Sequence, residues 1–351
     1  GSMWRHFFDK EATTDGLVEA MVSFQKRYDW DFMKVNPRAH YHSQDWGQVF
    51  RYSGSPYEGP TMEQTPIARA SDWANIVPLN PASGTLGAHL DALRRINKEL
   101  KGQAPLLMTI FGPLGVASHM VPSEDVMVRH LQEDPKSVKA GLEAITETFA
   151  AYVPRCLEAG AAGLFFATTS WGAYDRLTDA QYNEFCRPYD LRVLAAAKGA
   201  WFHMLHVCRS HNMLRRLTDY PVHAFNWDAL DPSNATLKEG LSFTTRAVLG
   251  GIPHRAVIET MAPVLDRFLK EARKSRVKVA YVQMLTAPSG TTNSYTSILA
   301  RMILLEHCVA GYWGADFYEP TAPQEGDVRF VKHRYSIFTN PDYSTYMQSI
   351  K

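Results

Sequence analysis

The segment Phe202-His203-Met204-Leu205-His206-Val207-Cys208 carries an imidazole and a thiol two residues apart. On an extended strand, residues i and i+2 share a face, so His206 and Cys208 point one way and His203 the other. Such a pair at a strand end can give Zn²⁺ two ligands, with the rest supplied from another strand. The alternative is a hydrogen-bonded core histidine beside a small buried thiol. Lys34-Val35-Asn36-Pro37-Arg38 is the second group, with Lys34 and Asn36 on one face. An inward lysine is expensive unless paired, which suits anion binding; otherwise it reaches the rim or meets a core carboxylate. Arg38 can help hold an anion, or it opens a solvated loop that continues through His40 and His42. In Asn226-Trp227-Asp228, Asn226 and Asp228 share a face. An inward Asp228 could bind substrate, orient His206, or merely cap the next helix. Arg5 and His6, near the start of the chain, are further anion-binding candidates. Ser170 has no partner that marks it as a nucleophile and reads as a hydrogen-bond donor.

These residues sit at the ends of apolar runs. The runs cover residues 31–35, 106–111, 163–167, 201–207, 222–227, 247–251 and 277–284, and several end at Gly, Pro, Asn or Ser. Between them lie stretches with helical spacing, at 87–100, 134–159, 178–199 and 261–276. Strands alternating with helices predict parallel βαβ units. Seven strands and a stub near residues 4–6 make eight, so the fold class is α/β, a (β/α)₈ TIM barrel. An open doubly wound sheet is the runner-up, but no Gly-x-Gly-x-x-Gly turn follows an early strand. One barrel domain is expected over 1–351. Residues 1–3 read as an expression scar, 36–106 as a lid or elaborated loop, and 315–351 as an irregular tail.

Composition bounds the partners. The 351 residues include 37 Lys+Arg against 36 Asp+Glu, so no net field draws the chain to nucleic acid or anionic lipid. No apolar run approaches the roughly 20 residues of a membrane span. Four widely spaced cysteines make no disulfide framework, which suits a cytoplasmic protein.

Further segments carry a family resemblance. Phe111-Gly112-Pro113-Leu114-Gly115-Val116-Ala117-Ser118-His119-Met120 resembles the third-strand turn of the uroporphyrinogen decarboxylase superfamily. Ala159-Gly160-Ala161, Leu164-Phe165-Phe166, Ser170-Trp171-Gly172 and Pro188-Tyr189 resemble its fourth strand and following helix. Phe225-Asn226-Trp227-Asp228 with Asp231-Pro232 resembles its Leu-Asp-Trp…Asp-Pro. The resemblance implies a barrel with the site in its mouth, and commonly a homodimer. One branch of that superfamily, the decarboxylases, needs no cofactor. Of the side chains it uses, Ser170 is kept; the Asp position is Asn36, the Tyr is His119, the His falls near Met284, and the arginine motif is absent. The other branch comprises zinc methyltransferases that exchange methyl groups with a corrinoid. They bind zinc through His-x-Cys, matched by His206 and Cys208, and a later Cys that also falls near Met284.

The expectation is therefore a barrel enzyme for a small anionic substrate. Metal-assisted methyl or one-carbon transfer is placed first, with zinc on His206 and Cys208 and a corrinoid protein as methyl donor. The alternative is a cofactor-free carboxy-lyase for a carboxylate other than uroporphyrinogen. There Lys34, Arg38 and Arg5 hold the anion, with His119 or His206 delivering the proton. A non-catalytic barrel that binds a tetrapyrrole or corrinoid ranks third. The assigned roles are catalytic for His119, Lys34 and Asp228, substrate-binding for Arg5, His6, Asn36, Arg38, Ser170, Asn226 and Met284, and metal-binding for His206 and Cys208.

Overall fold

A computed structural model describes residues 1–56 and 58–251, together with 270, 271, 274, 280–284 and 328–332. Contacts gather the chain into two compact units, Gly1–Gly251 and Ile252–Lys351. The first opens with helix α1 (Thr14–Tyr28) and strand β1 (Met33–Val35). An antiparallel pair, β2 (Val49–Arg51) and β3 (Thr61–Gln64), precedes α2 (Gly84–Leu100) and β4 (Leu106–Phe111). Next come α3 (Pro113–Ser118), α4 (Glu124–Glu133), α5 (Pro135–Glu158) and β5 (Gly163–Ala167). Then follow α6 (Asp179–Phe185), α7 (Arg187–Ala195), β6 (Met204–Val207), β7 (Ala224–Trp227), α8 (Leu237–Phe243) and β8 (Ala247–Leu249). In the second unit, β9 (Ala280–Met284) pairs in parallel with β10 (Val328–Lys332).

Six strands form one parallel sheet in the order β1-β4-β5-β6-β7-β8. Its two faces bury different sets of residues. The larger core lies between sheet and helices and includes Leu93, Ile96, Ile110, Ile145, Phe149, Leu164, Phe166, Leu205 and Phe225. A smaller cluster on the other face joins Phe32, Leu107, Phe165, Ala167, Met204 and Ala224. Parallel strands buried on both faces occur in doubly wound sheets and barrels alike, but the order β1-β4-β5-β6-β7-β8 follows the chain without the reversal of a doubly wound sheet, as a barrel wall does. This is the expected α/β fold of barrel type, with six strands in the described arc.

Local chemistry explains where elements start and stop. Helix α5 begins at Asp134, whose carboxylate accepts from the Ser137 amide, with Pro135 in the first turn. It buries Leu142, Ile145, Phe149 and Val153, the stripe that helical spacing predicts. The single helix expected over 178–199 is instead two, broken at Cys186. Pro188 cannot donate to the carbonyl four residues back, and its ring crowds that carbonyl, so the first helix stops. The stub at 4–6 is not a strand. It gains its order from side chains, since the Trp4 indole lies edge-on to Phe165 with ring centroids 5.1 Å apart. The strand expected at 277–284 exists as β9, but it pairs with β10 in the second unit rather than in the six-stranded sheet. Most of the helix expected at 261–276 lies outside the described residues, as do His307 and Cys308.

Candidate active site at the strand ends

The parallel register aligns one row of inward side chains at the carboxyl ends of the strands. Ala167 pairs with His206, His206 with Asn226, and Asn226 with Leu249. The Asn226 amide nitrogen donates to the Leu249 carbonyl at 3.1 Å, which turns its Oδ1 toward His206. The His206 Nδ1 lies 2.6 Å from that Oδ1. His206 therefore carries its proton on Nδ1 and keeps Nε2 as an acceptor. Burial, then the nearby Lys34 charge, lowers its pKa to about 4 against the opposing Asn226 bond, so it is neutral at pH 7.

Lys34 lies on the same inner face, on β1, and is only 8% exposed. Its ammonium sits 4.9 Å from the centroid of Phe165 and 5.5 Å from that of Trp4. Its hydrogen-bond partner is the Asn36 Oδ1, and among the described residues no carboxylate pairs with it. Burial brings its pKa down from 10.5 to about 7.

Beside Lys34 opens a cavity of about 260 Å³, lined also by His6, Asn36, Arg38, His40, His42, Phe111 and His119. The hairpin β2–β3 contributes Gly59 and Pro60 to the wall of this cavity. Four buried polar atoms here have no partner among the described residues: Asn36 Nδ2, Arg38 Nε, His40 Nδ1 and His42 Nε2. The rest of Arg38 is pinned, donating to the Ala12 carbonyl at 3.1 Å and to Thr85 Oγ1 at 2.9 Å. His119 donates from Nδ1 to the Gly115 carbonyl at 2.7 Å, leaving Nε2 as an acceptor, and burial lowers its pKa.

His40 and His42 do not form the solvated loop expected of them. The His42 ring stacks on Phe111 at 3.8 Å and is 4% exposed. The His40 ring stacks on Phe50 at 4.3 Å and lies 5.6 Å from that of His119. Burial depresses the pKa of both, His40 to about 4. Their signal in the sequence was the Arg38-x-His40-x-His42 alternation itself. Glu11 went unrecognised as well. Its carboxylate, 1% exposed as a residue, accepts from the amides of Phe7 at 2.9 Å and Ala39 at 2.7 Å and lies 3.1 Å from His6 Nδ1. It ties the N-terminal segment to the loop that bears the histidines.

Other candidates are placed elsewhere. Asp228 is exposed and accepts from the Leu230 and Asp231 amides at 3.1 and 3.3 Å, closing a local turn, while the next helix, α8, is capped by Thr236. Asn226, not Asp228, holds the place beside His206. Ser170 donates to Glu124 Oε1 at 2.5 Å and does not line the cavity. Arg5 is exposed and donates to the carbonyls of His6 and Pro56. Cys208 follows β6, and burial raises its pKa. Met284 ends β9 in the second unit.

Zinc takes at least three protein ligands. His206, with Nδ1 engaged and Nε2 available, suits one of them, yet no three His, Cys, Asp or Glu residues gather to hold a metal ion among the described residues. Those residues alone do not compose a zinc centre. Nor is any described helix long and apolar enough to cross a membrane.

Comparison with known proteins agrees with the barrel. Uroporphyrinogen decarboxylase from Pseudoalteromonas translucida is 31% identical over 137 residues, covering 38% of this chain and 37% of that protein. The same enzyme from an Escherichia coli O157:H7 strain is 28% identical over the same span. The chain thus matches well under half the length of these curated relatives. A solved methyltransferase from Methanosarcina mazei shares the fold at TM-score 0.54 and 15% identity, over 74% of this chain and 77% of that one. Residues 245–351, nearly coincident with the second unit, match the isochorismatase domain model. The uroporphyrinogen decarboxylase (URO-D) model matches residues 4–282, the larger part of the sequence, and the chain belongs to that family.

Proposed function

We propose that this chain is a carboxy-lyase for a small carboxylate other than uroporphyrinogen. The observation that carries the reading is that Lys34, which meets no carboxylate among the described residues, lines one cavity with Asn36 and Arg38, whose buried Nδ2 and Nε have no partner among the described residues. Buried donors without acceptors are costly, about 1–3 kcal/mol each, and an anionic ligand relieves that cost. About 260 Å³ lies below the roughly 300–1,000 Å³ of ordinary ligand pockets, which favours a small molecule over a tetrapyrrole. The neutral Asn36 also lacks the carboxylate with which the resembling decarboxylases gather pyrrole N–H groups.

In this reading the substrate carboxylate accepts from Asn36 and Arg38 beside Lys34. The C–C bond breaks, its electron pair stays on carbon, CO₂ departs, and a proton from solvent arrives through His119. The enzyme is expected to release CO₂ from one of a panel of small carboxylates, with the rate unchanged in excess chelator. His119→Ala should lower the rate by about 10²–10⁴, the usual contribution of a proton-transfer group. No CO₂ from any panel member, or loss of rate in chelator, would overturn the reading.

The second reading is metal-assisted methyl transfer, with zinc on His206 and Cys208 and a corrinoid protein as partner. The fixed tautomer of His206, which leaves Nε2 available, favours it. It requires a ligand beyond the described residues. Elemental analysis of the wild type beside Cys208→Ala decides it: near-stoichiometric metal that the variant loses would favour this reading.

A further inference from the structure

We propose that Lys34 is a covalent nucleophile that forms an imine with the carbonyl group of an oxo acid held in the cavity. This deepens the carboxy-lyase reading and rests on it for the substrate's carboxylate. Three features of the site lead here. Lys34 projects from a barrel strand into the inner face, between the rings of Trp4 and Phe165, where bulk water is scarce. Its nitrogen meets the amide oxygen of Asn36, a neutral acceptor that can orient an amine without fixing its charge. The unpaired donors Asn36 Nδ2 and Arg38 Nε belong to residues lining the same cavity, so a carboxylate bound to them stands near the amine.

A lysine that merely anchored an anion would serve as well fully protonated. An apolar surround that favours the free amine is the condition for attack on carbon. The depressed pKa, about 7, is consistent with that environment.

The step balances without an external oxidant or reductant. The Nζ lone pair adds to the carbonyl carbon, a C–N bond forms, and the two amine protons leave with the carbonyl oxygen as water. With a β-oxo acid, the protonated imine accepts the electron pair of the breaking C–C bond and CO₂ departs. The resulting enamine takes a proton at carbon, and water hydrolyses the imine to restore Lys34. The proton that charges the imine is returned at hydrolysis, so the net change is β-oxo carboxylate anion plus one proton to ketone plus CO₂.

The test is reductive trapping on the full chain. The protein is incubated at pH 7.5 with acetoacetate, oxaloacetate, pyruvate or glyoxylate, reduced with sodium borohydride, digested and mapped by mass. The expected result is an adduct on Lys34 at least tenfold above that on exposed lysines such as Lys101 or Lys198, with at least one of the four acids. Lys34→Arg keeps a cation but should lose the adduct, and Lys34→Met should do the same in an apolar shape. Circular dichroism and melting establish that each variant is folded. Labelling of Lys34 no greater than that of exposed lysines with all four acids would overturn the proposal, whether or not the acids raise the melting temperature as simple anions. An adduct with acetoacetate or oxaloacetate that forms without CO₂ release upholds the imine and removes the lyase. CO₂ release that survives in Lys34→Arg removes the imine and leaves the lyase standing.

Discussion

At the scale of single residues, the alternation of side chains along a strand was the informative signal. It placed Lys34 with Asn36 and set His206 apart from His203, whose Nδ1 accepts from the Leu164 amide. What alternation could not say is which polar neighbour meets His206. Asn226 does so because strand register aligns it, while Asp228 lies one step beyond the strand and turns to local amides. Burial of Lys34 has a measurable stability consequence. Between its folded pKa of about 7 and the ordinary 10.5, the unfolded chain binds the extra proton, so stability rises with pH across that window. Below pH 7 the whole penalty is present. Lys34→Met is accordingly expected to be more stable than wild type at pH 6.5, by on the order of 2–4 kcal/mol in urea unfolding, with the gain vanishing near pH 10. Equal stability of the two proteins at both pH values would contradict the cost of burying the charged lysine. Removing the orienting amide is a separate probe. Asn226→Leu should strand the His206 N–H and cost about 1–3 kcal/mol.

At the scale of elements, β4 and β5 occupy the very spans that their apolar runs outline, because a strand buried on both faces has no polar interruption to blur its ends. Short β1 and β8 were less sharply bounded, since their flanks continue in extended or turning backbone. The α6–α7 break shows a further limit of periodicity: helical spacing persists across Pro188 although the hydrogen bonds do not. These helices are fastened by Asp190, which accepts from Tyr182 and Tyr220 at 3.0 Å each. Its Oδ1 lies only 2.5 Å from where a Cβ on Gly112 would stand, so that glycine lets α7 approach the end of β4. Burial raises the Asp190 pKa to about 7 against the opposing tyrosine bonds. A carboxyl with a raised pKa contributes stability below its unfolded value, and that contribution fades as pH climbs from 3.8 toward 7. Asp190→Asn should flatten this dependence, making the variant's stability relative to wild type better at pH 8 than at pH 5 by on the order of 1–3 kcal/mol. Thermal melts at the two pH values measure it, and an unchanged difference would refute it. Tyr220→Phe, which leaves the carboxylate one donor short, is expected to cost about 1–3 kcal/mol at neutral pH.

At the scale of the whole molecule, the expected barrel was legible but its division was not. The apolar run at 277–284 looks like those before residue 251, so nothing in its pattern sets β9 apart from the strands of the first unit. Both apolar clusters and every residue lining the cavity lie within 1–251. A fragment of those residues is therefore expected to melt cooperatively and retain the cavity, which circular dichroism and anion-induced stabilisation would show. Loss of cooperativity would mean that the second unit completes the first. The buried Lys34 also makes this protein an exchanger of protons with its medium. An inert dianion such as malonate, settling beside Lys34, would raise that amine's hold on hydrogen ions, so binding near pH 8 should draw up to about one from the buffer. The heat of binding would then track the ionisation enthalpy of whichever buffer is used, and near pH 6, where Lys34 already carries its proton, the dependence on buffer should fall away.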